Sequence, residues 1–177
     1  PGAVMDGSVP FKAEWKEAGD ELKGVFVASV KQRPRGLLVD GKFIAEIRYD
    51  RAKSKGEWHW RTLLAKGPPL SGFSEIRALW MYHPEEKRVF ARFEDGASPE
   101  RRSLSLVESG DPLLHIKAKD VVVEGVTFAH GSDAIMLGEG AVECVIRKCV
   151  ITSFESTGIV LTDGASHCLV EGCEISR

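Results

Sequence analysis

The chain lacks a net charge of either sign, an apolar run long enough to cross a bilayer, and any abundance of cysteine. Twenty-four Lys and Arg stand against 26 Asp and Glu, a formal charge of −2. No overall basic field exists to draw in a polyanion, so nucleic acid is not expected as a partner. No stretch approaches the roughly 20 apolar residues of a membrane span, so no membrane partner is expected either. The first residues carry no charged segment followed by an apolar one, so an export signal is expected to have been removed or never present. Disorder is not expected either: 43% hydrophobic and 28% charged residues over 177 positions are ordinary globular chemistry, enough for one sizeable core or two small ones.

The four cysteines fall in two Cys-x4-Cys stretches, "CVIRKC" (144–149) and "CLVEGC" (168–173), whose starts lie 24 residues apart. They belong to a longer repeat. In register, "VVVEGVTFAHGS-DAIMLGEGA" is followed by "CVIRKCVITSFESTGIVLTDGA" and then "CLVEGCEIS", with a one-residue gap before Asp133. Val123, Ile146 and Val170 correspond, as do Phe128, Ile151 and Ile175, and Ile135 with Ile159. Apolar residues alternate over short runs separated by Gly, Asp and Ser, which is strand and turn chemistry. A 24-residue unit of short strands closes into a three-sided rung, and successive rungs stack as parallel strands about 4.8 Å apart. Val121, Cys144 and Cys168 then share one ladder, and Val126, Cys149 and Cys173 another. A position that takes Val or Cys suits an inward small apolar side chain. A four-thiolate metal site favours tighter Cys-x2-Cys knuckles, while disulfides between rungs remain allowed by the backbone spacing.

The pattern "VVVEGVTFAHGSDAIML", repeated at 144–161, resembles the rungs of bacterial right-handed parallel β-helix proteins of the pectate-lyase-like superfamily. "PGAVMDGS" is similar to the end of an earlier rung, and "WMYHPEEKRVFARFEDG" to the hairpin that often precedes the main helix in carbohydrate-active members. The family often stacks Asn at the second bend, where this chain has Val126, Cys149 and Cys173. The resemblance implies an all-β protein, a parallel β-helix with a β-rich insertion, and a secreted, periplasmic or cell-surface location. It also implies a polysaccharide or glycan partner and activity as a polysaccharide lyase or glycoside hydrolase.

Residues 11–110 lack the repeat. Asp40-Gly41 between two apolar runs is a strong hairpin signal; "IRALWMYHPEEKRVFARF" predicts a second hairpin looping at 84–87, and "GVFVASV" another strand. "LAKGPPLSG" is expected as a loop, and the weakly periodic "FKAEWKEAGDEL" as helix, coil or bulged strand. The expected organisation is a rung end at 1–10, a β-rich sandwich or barrel at 11–110, and rungs at 111–177. The third repeat stops at "CEISR", so a longer chain or another subunit is expected to cover the sheet edges.

Inward side chains of a β-helix are packed core, so chemistry must lie on outward faces and in loops. Asp133, His130 and Glu155 are the candidate catalytic residues. A carboxylate and an imidazole can share acid and base duties on a glycosidic bond or an α-proton, whereas Asp in a turn equally bonds its own backbone. By the same resemblance, Asp133 before Ala134-Ile135 is similar to an acid of polygalacturonase-type helices, but Ser156-Thr157 stand where that group has paired aspartates. Trp58 and Trp60, on one face of an expected strand, and Arg147 are the candidate substrate-binding residues: an indole stacks on a sugar ring or fills a core, and Arg147 neutralises charge or pairs with Glu124 and Glu171. No protein-bound metal is expected beyond a weak calcium possibility at Glu139 and Asp163, because hard cations want six or more oxygens. Three function classes follow: a carbohydrate-active enzyme, a non-catalytic glycan-binding module, and a structural or assembly piece.

Overall fold

A computed structural model of the chain describes residues 2–47, 49, 60–66 and 78–176. Two compact units emerge, residues 1–8 with 109–177, and residues 9–108. Strand β1 (Val4–Asp6) opens the first unit, and β2 (Ser8–Pro10) leads into the second. The second unit continues through β3 (Lys16–Glu17), β4 (Val25–Ser29), β5 (Gly36–Val39), β6 (Lys42–Phe43) and β7 (Ala45–Glu46). Helix α1 (Trp60–Lys66), β8 (Ala78–His83), β9 (Arg88–Phe93) and β10 (Leu104–Val107) complete it. The first unit then resumes with β11 (Leu114–Ile116), β12 (Val122–Glu124), β13 (Thr127–Leu137) and β14 (Val145–Arg147), followed by β15 (Val150–Leu161), β16 (Leu169–Glu171) and β17 (Glu174–Ser176).

The first unit is a parallel β-helix. A small sheet runs β12-β14-β16, and a larger one β1-β13-β15-β17 with β11 beside β13, every pairing parallel. The predicted ladders are present: Val123, Ile146 and Val170 pair across the small sheet, Phe128, Ile151 and Ile175 across the large one, and Ile135 lies beside Ile159. Ile135, Ile146 and Ile151 are fully buried in one apolar cluster with Phe128 and Leu137. The gap placed before Asp133 is a real irregularity. The register passes from Gly131 opposite Phe154 to Asp133 opposite Thr157, so Glu155 and Ser156 together face Ser132. That bulge is why the repeat steps by 23 residues before it and by 24 after it.

Sharp corners need left-handed backbone, and these corners stack as well. Asp120, Glu143 and His167 share φ of 54–58°, His130 and Ser153 of 55–57°, and Gly125, Lys148 and Gly172 of 53–68°. The left-handed residue of the bend between sheets is therefore the one before Val126, Cys149 and Cys173, which leaves those three free to point inward. The cysteines do: none of the four is joined in a disulfide, and all lie in or against the core. Each thiol lies between two carbonyls, one on the preceding rung and one two residues back: Cys144 is nearer Ala118, at 3.2 Å, whereas Cys149, Cys168 and Cys173 are nearer Arg147, Ser166 and Glu171, at 3.4, 3.3 and 3.6 Å.

β1 and β11 form two sides of a single rung, because β1 pairs with the first part of β13 and β11 with its last part. The second unit is spliced into the chain at the corner between them. It packs two sheets, β2-β10-β5-β6 and β3-β4-β9-β8-β7. Asp40 and Gly41, both at positive φ, close the β5–β6 hairpin as an Asp-Gly turn should, and β8 and β9 form the second predicted hairpin. Strand β8 reads as a continuous apolar run because both its faces are covered. Ala78 and Trp80 enter the core with Leu37, Val39 and Leu104, whereas Leu79 and Met81 meet Leu22, Trp60 and Leu64.

Of the readings open for "FKAEWKEAGDEL", helix, coil or bulged strand, the chain takes a short strand, β3, and a single 3₁₀ turn at Asp20–Leu22. One expectation fails. Leu64, Ala65 and Lys66, expected as loop, end helix α1 instead; the rest of that expected loop, 67–72, lies outside the described residues. Arg92 explains the helix end, since its guanidinium donates to the carbonyls of Leu64, at 2.8 Å, and Ala65, satisfying acceptors the last turn leaves open.

Candidate functional site at the bend of the long strands

The β-helix turns its second corner inside β13 and β15, at His130 and Ser153, and the bulge lies immediately after it. Bulges re-aim side chains and gather beside functional sites. His130, Asp133 and Glu155 all fall on this corner, on strands β13 and β15.

His130 turns to a residue from the start of the chain: its Nδ1 lies 3.1 Å from both Oδ1 and Oδ2 of Asp6. Asp6 is held in turn by the Ser8 backbone N–H and hydroxyl, each donating to Oδ1 at 2.8 Å. Partial burial pushes the Asp6 carboxyl up, but the two Ser8 bonds and the His130 ring outweigh it and hold it below the ordinary aspartate range. Packing leaves no slack in the connection. A Cβ on Gly7 would come within 2.6 Å of the Leu113 side chain and 2.7 Å of the His130 carbonyl oxygen.

Asp133 has a structural partner. Its Oδ1 accepts the Thr157 backbone N–H at 3.0 Å, on the next rung rather than in its own turn, where the bulge breaks the regular ladder. Glu155 is half-buried on the bulge, next to an exposed Ser156 whose hydroxyl lies 3.2 Å from that of Thr157.

Arg147 lies on the outward face of the small sheet, away from this corner. Its Nη2 donates to Glu124 Oε2 at 2.8 Å and Lys148 Nζ to Oε1 at 3.0 Å, and these two bonds, the lysine's first, hold the Glu124 carboxyl below its usual range. The guanidinium is thus engaged in the cross-strand pair that the sequence offered as its plain alternative.

Trp60 corrects a candidate. Rather than presenting a flat face on a strand, it begins helix α1, is 5% exposed, and packs edge-on to His83 and tilted on Phe90. A buried indole offers no platform to a sugar, and the amphipathic helix needed that large apolar anchor against β8 and β9. Trp58 lies outside the described residues. Glu139 and Asp163 are exposed at equivalent turns of successive rungs, and among the described residues no three His, Cys, Asp or Glu side chains gather as a cation site.

A hollow of about 220 Å³ lies between Phe154, Ser156, Gly158, Ile175 and Ser176. Ser176 pairs with Thr152, and neither Asp6 nor His130 lines this hollow.

Asp6 and Ser8 were invisible as site residues in the sequence, although one signal was there. Aligning Met5 with Phe128 by the rung pattern puts Asp6 one position before the corner that His130 makes in the next rung.

No protein-family model matches the chain, and no curated protein sequence matches it significantly. Among solved structures, the complex of XylC with xylose superposes on 96% of this chain with a TM-score of 0.57 at 11% sequence identity. The chain spans 42% of the length of that protein. At this identity the likeness is one of fold: an all-β chain carrying a parallel β-helix. No described helix is long and apolar enough to cross a membrane.

Proposed function

We propose that the chain is part of a carbohydrate-active protein of the pectate-lyase-like superfamily, exported from the cytoplasm, that engages a polysaccharide at the corner carrying His130. The observation behind this reading is the Asp6–His130 pair, an imidazole held by a carboxylate on an outward corner, beside a bulge that adds Glu155 and Ser156. An oriented imidazole and a neighbouring carboxyl are the groups needed to move a proton to a glycosidic oxygen or from a sugar α-carbon. The fold shared with a protein solved with xylose is consistent with a sugar ligand. Lyase or glycoside hydrolase chemistry is the specific form proposed, with His130 as the acid–base group and Glu155 as the carboxyl beside it.

A non-catalytic glycan-binding role is the second reading, and one observation favours it. Asp133 and Arg147, two of the groups an active site would use, are engaged by Thr157 and Glu124. Incubation with acidic and neutral polysaccharides, read as new reducing ends or unsaturated uronates, separates the two. Product that falls by about 10²-fold or more in His130→Ala, the usual scale of general acid–base loss, supports catalysis. Retention on a glycan array with no product supports binding alone, and neither product nor retention overturns the proposal.

A further inference from the structure

The cysteines are matched rung by rung. Val145 pairs with Leu169, whose N–H donates to the Cys144 carbonyl at 2.8 Å, so Cys144 and Cys168 stack just before β14 and β16. Val150 pairs with Glu174, whose N–H donates to the Cys149 carbonyl at 2.9 Å, so Cys149 and Cys173 stack just before β15 and β17. The side chains stack too, because the two sulfurs of a pair meet equivalent carbonyls. Cys144 lies 3.2 Å from Ala118 and 3.5 Å from Val142, and Cys168 lies 3.5 Å from Ala141 and 3.3 Å from Ser166, the bridge partner of Val142. Cys149 and Cys173 are each 3.7 Å from paired residues of the preceding rungs, Val123 and Ile146. Matching side-chain positions on neighbouring parallel strands put the two sulfurs about 4.8 Å apart, the strand spacing.

That spacing decides between two chemistries. A disulfide needs sulfurs about 2.05 Å apart and Cβ atoms at about 3.5–4.5 Å, and side chains standing parallel at the rung spacing meet neither. Two metal–thiolate bonds of about 2.3 Å laid end to end span about 4.6 Å, which fits. We infer that each stacked pair, Cys144 with Cys168 and Cys149 with Cys173, is a two-coordinate site for a soft divalent ion of the mercuric kind. Zinc takes four ligands in a tetrahedron and hard cations take oxygens, whereas thiolates select soft ions. Charge selects the divalent one. Each thiol releases its proton to water and each thiolate gives an electron pair to the ion, so two negative charges meet two positive ones and the bridge is neutral. A monovalent ion would leave one negative charge in the apolar core beside carbonyl oxygens, which is costly. Cys144 and Cys149 are buried and Cys168 and Cys173 half-buried, so the ion reaches each pair through its half-buried member.

Titration of the reduced chain with mercuric chloride tests the pairing. Uptake is expected to saturate at two ions per chain with the β-sheet circular dichroism intact, and X-ray absorption to find two sulfurs at about 2.3 Å from each ion. Cys168→Val and Cys173→Val should each remove one two-sulfur ion and leave the other. Both are expected to fold, because valine already holds the same ladders at Val121 and Val126. The double variant Cys144→Val with Cys173→Val keeps two thiols on different ladders, Cys149 and Cys168, and should hold no two-sulfur ion. Saturation at four ions with one sulfur each overturns the inference, as does loss of the β-sheet signal before two ions are bound. A two-sulfur ion in the folded double variant overturns it as well, since the ladder would then not choose the pair. Formation of a Cys144–Cys168 or Cys149–Cys173 disulfide in the folded chain on exchange with oxidised glutathione would show that the sulfurs are not held at the rung spacing, and would overturn it on that ground.

Discussion

At the scale of single residues, the corners of this β-helix separate two uses of small side chains. Gly125 has φ of 68° and nothing lies within 4 Å of where its Cβ would stand, whereas Gly7 would drive a Cβ into Leu113 and the His130 backbone. Gly125→Ala is therefore expected to cost only the left-handed penalty, about 1 kcal/mol, because Lys148 already occupies the equivalent corner one rung on. Gly7→Ala is expected to cost about 1–3 kcal/mol as an overpacking change, and to disturb the His130 ring signals that Gly125→Ala leaves alone. Urea denaturation of the two variants, with the His130 spectrum, tests the contrast; equal losses would mean that β1 is not held as tightly as its contacts imply. The cysteines belong to the same scale. Alternation with Val121 and Val126 marked them as inward apolar positions before any contact was visible, and their thiols add a weak bond to a nearby backbone carbonyl that valine cannot make.

At the scale of elements, hairpins and rungs were legible because each is coded locally. Asp40-Gly41 contains its own turn chemistry, and alternation within a rung repeats wherever the chain passes the same side. Helix α1 was not legible. Seven residues supply barely two turns, too few for propensity to hold a helix in water, and its stability comes from Trp60 and Leu64 buried on β8 and β9 and from Arg92 at its end. Arg92→Met keeps the aliphatic stem and removes the cap. It is expected to destabilise the second unit by about 0.3–2 kcal/mol, the span from an exposed to a partly buried charge at a helix C-terminus, and to raise amide exchange across residues 60–66 selectively. Uniform exchange, or none, would show that the helix does not depend on that guanidinium.

At the scale of the whole molecule, acid should be the weak direction. Asp6, Asp95 and Glu124 are each held below their ordinary range, Asp6 by Ser8 and His130 against partial burial, Asp95 by the Ala97 N–H and Arg102, Glu124 by Lys148 and Arg147. A carboxyl with a depressed folded pKa adds stability that is present above its unfolded pKa, about 3.9 for Asp and 4.3 for Glu, and is lost as pH falls through the folded value. The Tm is accordingly expected to hold level with respect to these groups above about pH 5 and to fall below about pH 4. Asp6→Asn and Asp95→Asn should each flatten part of that fall; a profile unchanged in both would show that the pairs do not form in solution. The β-helix could be read from residue order alone because stacking copies one pattern every 23 or 24 positions, and even the bulge left its mark as a one-residue gap. Folding in space was needed to join Asp6 to His130, 124 positions apart, since the whole second unit interrupts the period between them and no periodicity counts across such a break. The same holds for Trp60 and Arg147, whose side chains suit a sugar or a core, a ligand or a carboxylate, and whose choice was made by the neighbours that packing brought to them.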